Sequence, residues 1–251
     1  MGRREDSKFF TVEGVTKRFG ALKAVADVSF EVHQGEIFGI AGPNGSGKST
    51  LFNLITSIPF PADAGRIVLQ GRDITHLPPH RICHLGLART FQRETIYAGL
   101  SAFDNVLVAV ENMGLRAGSK DHEHRTEEVL DFIGFPKTMH NAPAATLPLF
   151  YRKQLMLASA MALSPRLLLL DEPASSLTRP ETAELKKIIT RINRAGVTVL
   201  LIEHVLSLLN DISRRLMVLD HGKLLTLGRP DEVIRDPRVV EVYLGTKGGC
   251  T

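Results

Sequence analysis

Short aliphatic or β-branched runs alternate along this chain with stretches whose apolar residues return every three or four positions. That is the rhythm of a mainly parallel sheet layered with helices. The pattern predicts strands over 9–15 and 25–32, the second alternating apolar and polar and therefore half-exposed. An apolar strand over 36–41 runs straight into a glycine-rich turn, and a helix over 48–56 follows. A strand over 65–69 ends in Gln70-Gly71, and a short helix is expected over 80–86. From about Arg93 to Leu163 the rhythm changes. There 100–112, 123–133 and 152–163 carry helical spacing, separated by Gly, Pro and Asn. Beyond them, 166–170 and 197–202 read as strands covered on both faces, carrying the apolar runs Leu167–Leu170 and Val199–Ile202. A helix over 180–195 lies between these two. A strand over 216–219, the turn His221-Gly222 and a strand over 223–227 close the pattern. The expected fold class is α/β, with a helical segment inserted between two halves of a sheet domain and no internal repeat.

Composition adds limits rather than detail. The 251 residues are 43% hydrophobic and 23% charged, a globular balance with enough chain to bury a sizeable core. Lys and Arg number 31 against 27 Asp and Glu, a net charge of +4. That surplus permits a phosphate or membrane-surface partner and demands neither. Two cysteines, Cys83 and Cys250, are too few for a disulfide-built secreted domain and are expected to be unbridged. No apolar run approaches the roughly 18 residues that span a bilayer. The charged opening residues lead into no apolar segment of a secretory signal, and Asp6 stands where a myristoylation motif wants Ser or Thr. A soluble cytoplasmic protein is the expectation.

Chemistry enters with Gly42-Pro43-Asn44-Gly45-Ser46-Gly47-Lys48-Ser49-Thr50, which fits G-x-x-x-x-G-K-[ST] between a predicted strand and a predicted helix. Glycines at this spacing let backbone N–H groups close round phosphates, and the helix N-terminus adds a favourable dipole. Lys48 is placed to reach the β- and γ-phosphates, and the Ser49 hydroxyl to ligate Mg²⁺. A second piece, Leu167-Leu168-Leu169-Leu170-Asp171-Glu172-Pro173, ends a buried strand in two carboxylates. Asp171 falls at the sheet edge near the metal, and Glu172 is positioned to take a proton from an attacking water. Gln92 follows an apolar stretch and can reach Mg²⁺ or that water, and His204 ends a strand where it can bond a γ-phosphate. Taken singly, a Gln and a His in such places are more often surface or satisfied groups. Phe19 can stack on adenine or pack in the core. His122 and His124 lie in a segment expected to be a solvated charged loop rather than a metal site.

Together these residues resemble the ATP-binding subunit of an ABC transporter, over nearly the whole chain. In order stand an aromatic A-loop (Phe19), the Walker A motif (42–50), the Q-loop (Gln92), the Walker B motif with its glutamate (167–172), the D-loop (175–178) and the H-loop (His204). Gly71-Arg72-Asp73-Ile74-Thr75, Gly86-Leu87-Ala88-Arg89-Thr90-Phe91-Gln92 and the ending from Arg235 to Gly245 are similar to the ATPases of branched-chain amino-acid importers. The resemblance implies one ABC ATPase domain over 8–246. Its P-loop, RecA-like core would occupy about 8–92 and 166–246, with an N-terminal antiparallel β subdomain. An inserted α-helical subdomain would occupy about 93–165, and a flexible tail 247–251. It also implies ATP and Mg²⁺ as ligands and membrane-spanning permease subunits as partners, with a solute-binding protein engaged indirectly and no nucleic acid. A second ATPase subunit would join it to sandwich two ATP molecules, peripheral to the cytoplasmic face of the inner membrane.

One motif departs from that family. The slot for Leu-Ser-Gly-Gly-Gln holds Leu147-Pro148-Leu149-Phe150-Tyr151, so Pro148 replaces a serine hydroxyl and Phe150 a glycine needed for close backbone approach. In the D-loop, Thr178 stands where Asn or Asp is usual. The signature acts on ATP held by the opposite subunit, which implies a partner ATPase that is a different chain. Two rival readings are a soluble ABC-type ATPase outside transport and a regulatory subunit that hydrolyses weakly. The single cassette and mild charge oppose the first, and intact Glu172 and His204 oppose the second.

Overall fold

The computed structural model describes residues 8–112 and 119–244. Cys250 and the expected tail over 247–251 lie outside the described residues. Strands β1 (Lys8–Phe19) and β2 (Leu22–His33) form an antiparallel hairpin turned by Gly20, whose φ is +59°. With β4 (Ala64–Leu69) and β5 (Arg72–Asp73) they make a four-stranded antiparallel sheet, ordered β2-β1-β4-β5. The second sheet holds β3 (Ile37–Ala41), β6 (Leu87–Arg89), β7 (Leu167–Asp171), β8 (Thr198–Ile202), β9 (Arg215–Asp220) and β10 (Lys223–Gly228). Its order is β10-β9-β3-β8-β7-β6, parallel throughout except between β9 and β10.

The helices are α1 (Lys48–Thr56), α2 (Pro79–His84), α3 (Ala102–Glu111), α4 (Ser119–Ile133), α5 (Leu149–Ala162), α6 (Arg179–Arg194), α7 (Leu206–Ile212), α8 (Pro230–Val233) and α9 (Pro237–Leu244). The buried strands read as continuous apolar runs because helices or a second sheet cover both faces, and alternate residues serve opposite layers. Leu168, Leu170, Val199, Leu201 and Val218 face a core shared with α5, α6 and α7. Leu167, Leu169, Leu200, Ile202 and Leu219 face the other way, onto α1 and the antiparallel sheet. Helices α3, α4 and α5 pack on one another and extend the first of these two cores. Among the described residues, no helix is long and apolar enough to cross a membrane.

Three elements differ from the sequence pattern for identifiable reasons. Helix α4 starts at Ser119 rather than at 123, so the segment with His122 and His124 lies on the helix and is not a solvated loop. Its buried positions Thr126, Val129, Leu130 and Ile133 recur at helical spacing, while His124 and Arg125 both pair with Glu128 on the outer face. Helix α5 begins at Leu149 rather than at 152, because Pro148 takes the N-cap position and its carbonyl accepts the Arg152 N–H at 3.1 Å. Strand β6 has three residues, too few to leave a periodicity. The unusual Thr178 suits its place. It caps α6 in a reciprocal box, with Glu181 accepting from the Thr178 N–H at 2.8 Å and hydroxyl at 2.7 Å.

Candidate functional site

Strand register brings the chemistry together. Ile40 of β3 and Asp171 of β7 both pair with Ile202 of β8, so the loops after these three strands leave one edge at one level. It is the carboxyl edge of a parallel sheet, where open α/β folds hold ligands. The loop after β3 is shaped by glycine. A Cβ on Gly42 (φ +146°) would lie 2.2 Å from the Leu219 carbonyl oxygen, and one on Gly47 (φ +102°) 2.4 Å from that of Ala24. Only glycine leaves the backbone free to take this path. The loop runs into α1, whose first residue is Lys48. That side chain is buried, and its ammonium donates to the carbonyls of Gly42 at 2.8 Å and Pro43 at 2.9 Å. Burial pulls the Lys48 pKa down, while Glu172 and Asp171 push it back up. Ser49 is exposed and Thr50 half-buried beside it.

Glu172 lies just past β7 with φ at +50°, a left-handed conformation that turns its side chain out of the strand direction. Its N–H donates to the Ile202 carbonyl at 2.9 Å. One carboxylate oxygen accepts from Gln92 Nε2 at 2.8 Å, and the other lies 2.6 Å from His204 Nε2. Three residues separated by long stretches of chain therefore meet on one carboxylate. Asp171 is different. Its Oδ2 accepts from Arg89 Nη2 at 2.8 Å, and its buried Oδ1 has no hydrogen-bond partner among the described residues. Such a lone buried acceptor, next to the glycine-lined loop, suits a hydrated hard cation, so the residues fit Mg²⁺.

A cleft of about 460 Å³ lies over the loop, lined by Phe19, Lys48, Ser49, Thr50, Gln92, Glu172 and neighbours. Phe19 does not pack in the core. It is 44% exposed at the end of β1, its ring edge-on to Phe60 with centroids 5.0 Å apart. Asn44 and Gly45 are exposed on the loop tip and Pro43 is half-buried, whereas Ser46 is buried with its hydroxyl unpartnered. The segment from Leu147 to Tyr151 stands apart from this cleft's lining. Leu147 is buried, Pro148 is exposed, and Phe150 packs against Tyr151 with centroids 5.6 Å apart.

Several site residues escaped sequence reasoning. Arg89 was legible only as part of a motif. Glu203 is buried, accepts the N–H groups of Ala174 at 2.6 Å and His204 at 3.2 Å, and so ties the loops after β7 and β8 together. Burial pushes its pKa up against those two bonds. Lys153 of α5 donates to Ser175 Oγ at 2.9 Å, linking the helical layer to the turn after Glu172. The Tyr243 hydroxyl of α9 accepts the Gly42 N–H at 2.7 Å. The one available signal was a lone polar residue closing an apolar strand, as Glu203 does in Ile202-Glu203-His204.

The chain matches the ABC transporter family over residues 25–175 and the branched-chain amino acid ATP-binding cassette transporter family over 223–248. It is 34% identical to the high-affinity branched-chain amino acid transport ATP-binding protein BraF of Pseudomonas aeruginosa, over 93% of this chain and 96% of that one. Identity to LivG of Salmonella typhimurium, a protein of the same description, is 35% with the same coverage. The lipopolysaccharide export system ATP-binding protein LptB of Acidithiobacillus ferridurans is 34% identical, over 95% of this chain and 98% of that one. The fold superimposes on an ATP-binding cassette of an ABC transporter in its ADP conformation with a TM-score of 0.85. Identity there is 28%, covering 95% of this chain and 99% of the other.

Proposed function

This chain belongs to the ABC transporter family, and from that premise we propose that it binds and hydrolyses ATP to power an importer of branched-chain amino acids or related small solutes. The match over 223–248 carries the choice of cargo class. Identity across the cassette does not, since a relative in lipopolysaccharide export is as similar as the amino-acid transport proteins. The geometry supports the following residue roles. The amides of the 42–50 loop and Lys48 hold the phosphates, and Phe19 offers its exposed ring to the adenine. Ser49, Gln92 and Asp171 hold Mg²⁺, which when bound neutralises phosphate charge. Glu172, kept in place by Gln92 and His204, accepts the proton of the attacking water, and His204 senses the γ-phosphate. The layer of α3, α4 and α5, within about 93–165, is read as the helical subdomain that meets the permease. Attachment to the cytoplasmic face of the inner membrane is then peripheral, through those subunits. Purification from detergent extracts is expected to recover two membrane-spanning proteins with this chain; recovery free of any membrane protein would favour a soluble ATPase.

The partner ATPase is read as a different chain. In a homodimer, Pro148 and Phe150 would stand over both ATP molecules, and neither γ-phosphate would receive the serine hydroxyl and glycine amide. Losing one preorganised donor of this kind lowers a rate by about 10²–10³. This chain alone should therefore release phosphate at least about a hundredfold more slowly than the assembled complex. Equal turnover by the isolated chain and the complex would refute the asymmetry.

A further inference from the structure

Arg89 is the least expected group in the site. It ends β6 three residues before Gln92, and its side chain is only 5% exposed, against 3% for Asp171. The guanidinium lies between two aromatic walls, its carbon 4.6 Å from the Phe91 ring centre and 5.5 Å from that of Phe52. Its two terminal nitrogens point to different elements. Nη2 donates to Asp171 Oδ2 at 2.8 Å, on β7. Nη1 donates to Asn53 Oδ1 at 2.9 Å and Thr56 Oγ1 at 3.2 Å, both on α1. Helix α1 is the one that begins at Lys48 and carries Ser49. One rigid fork therefore spans the carboxylate strand and the phosphate-loop helix.

We propose that Arg89 is the positioning residue for the metal side of this site, fixing Asp171 with Oδ1 free and holding that oxygen in register with α1. The proposal rests on the Mg·ATP reading given above. Its physical basis is the division of labour on one carboxylate. A carboxylate has two oxygens, and a planar donor that satisfies one of them also fixes the rotation of the other. Oδ1 is buried and unpartnered, so the oxygen left for a hydrated cation is the one Arg89 does not use. Aromatic stacking stops the fork from rotating, and the bonds to Asn53 and Thr56 make Ser49 and Asp171 move as one unit. A neighbouring cation also repels Mg²⁺, which makes the sign of the effect a real question. Here the guanidinium bonds the opposite oxygen, so orientation outweighs repulsion. Partners of this kind, one bond removed from a metal, are typically worth about 10- to 100-fold in metal affinity.

The test is ATP affinity measured by calorimetry twice for each protein, with Mg²⁺ and with EDTA, the ratio of the two being the metal-dependent gain. Wild type must show a gain; if it binds no ATP in either condition, the function reading fails and takes this proposal with it. In Arg89→Lys, which keeps the charge but cannot span both elements, the gain should fall about tenfold or more while EDTA affinity stays near wild type. Asn53→Ala removes the shorter of the two bonds to α1, leaves the one to Thr56 and does not unpair Asp171, so it should lower the gain in the same direction, by less. It keeps the question open to measurement if substitution of the buried arginine unfolds the chain. An unchanged gain in both variants, equal losses with and without Mg²⁺, or a gain that rises because repulsion dominated, would each overturn the proposal.

Discussion

In Glu172→Gln, steady-state ATP hydrolysis by the assembled complex is expected to fall by about 10²–10⁴-fold, the usual worth of a positioned general base. The substitution is nearly isosteric, so the chemistry changes more than the packing. The left-handed backbone at Glu172 and its N–H bond to the Ile202 carbonyl belong to the main chain and persist. Gln92 and His204 still find an oxygen or nitrogen at the same place, but an amide cannot take the proton of the attacking water. ATP affinity should stay within a few-fold of wild type, because the proposed phosphate contacts are in the loop before α1. Phosphate-release kinetics paired with calorimetry separate the two effects. Retained turnover would remove Glu172 from the base role. On the proposal that the partner ATPase is a different chain whose site Pro148 and Phe150 complete, the matching glutamate change there should have a much smaller effect.

Lys48→Ala is expected to weaken Mg·ATP binding by a hundredfold or more. Its ammonium spends two hydrogen bonds on the carbonyls of Gly42 and Pro43, and phosphate oxygens are the stronger acceptors that would replace them. Charge-assisted bonds of this kind contribute about 1.5–3 kcal/mol each, and an alanine forfeits both. The fold should tolerate the change. Burial already disfavours the charged form of Lys48, as the downward push on its pKa shows, so deleting the charge removes a desolvation penalty together with the contacts. Titration calorimetry on the isolated chain is the check, and equal affinities would detach Lys48 from the phosphates.

Legibility in the sequence followed length and repetition. The run before Gly42 and the helix after Gly47 are strongly patterned, and α1 has the bounds 48–56 that the pattern predicts. Leu167–Leu170 of β7 and Val199–Ile202 of β8 are apolar without a break, the mark of strands covered on both faces. The hairpin of β1 and β2 was legible in the pattern only as two strands; its place in an antiparallel subdomain came from the resemblance, since pairing partners leave no local mark. The helical spacing over 123–133 was legible, but not that α4 starts four residues earlier, and Pro148 gave no sign that it caps α5.

The candidate site divides along the same line. Gln92, Glu172 and His204 could be named because motif and resemblance marked them, and the structure brings them onto one carboxylate. Arg89, Glu203, Lys153 and Tyr243 could not, because each is a single polar side chain whose partner lies far away in the chain. Tyr243 and Gly42 are 201 positions apart, and Arg89 and Asp171 are 82 apart. Only the order of strands in the sheet makes such pairs neighbours.

The most direct test of the account is solute uptake into proteoliposomes holding the complete transporter, with ATP supplied on this chain's side and labelled leucine as cargo. The account predicts uptake that requires ATP and Mg²⁺, consumes ATP in proportion to leucine moved, and stops in Glu172→Gln. Leucine uptake unaffected by that substitution, or brisk ATP hydrolysis that moves neither leucine nor any related small solute, would contradict it.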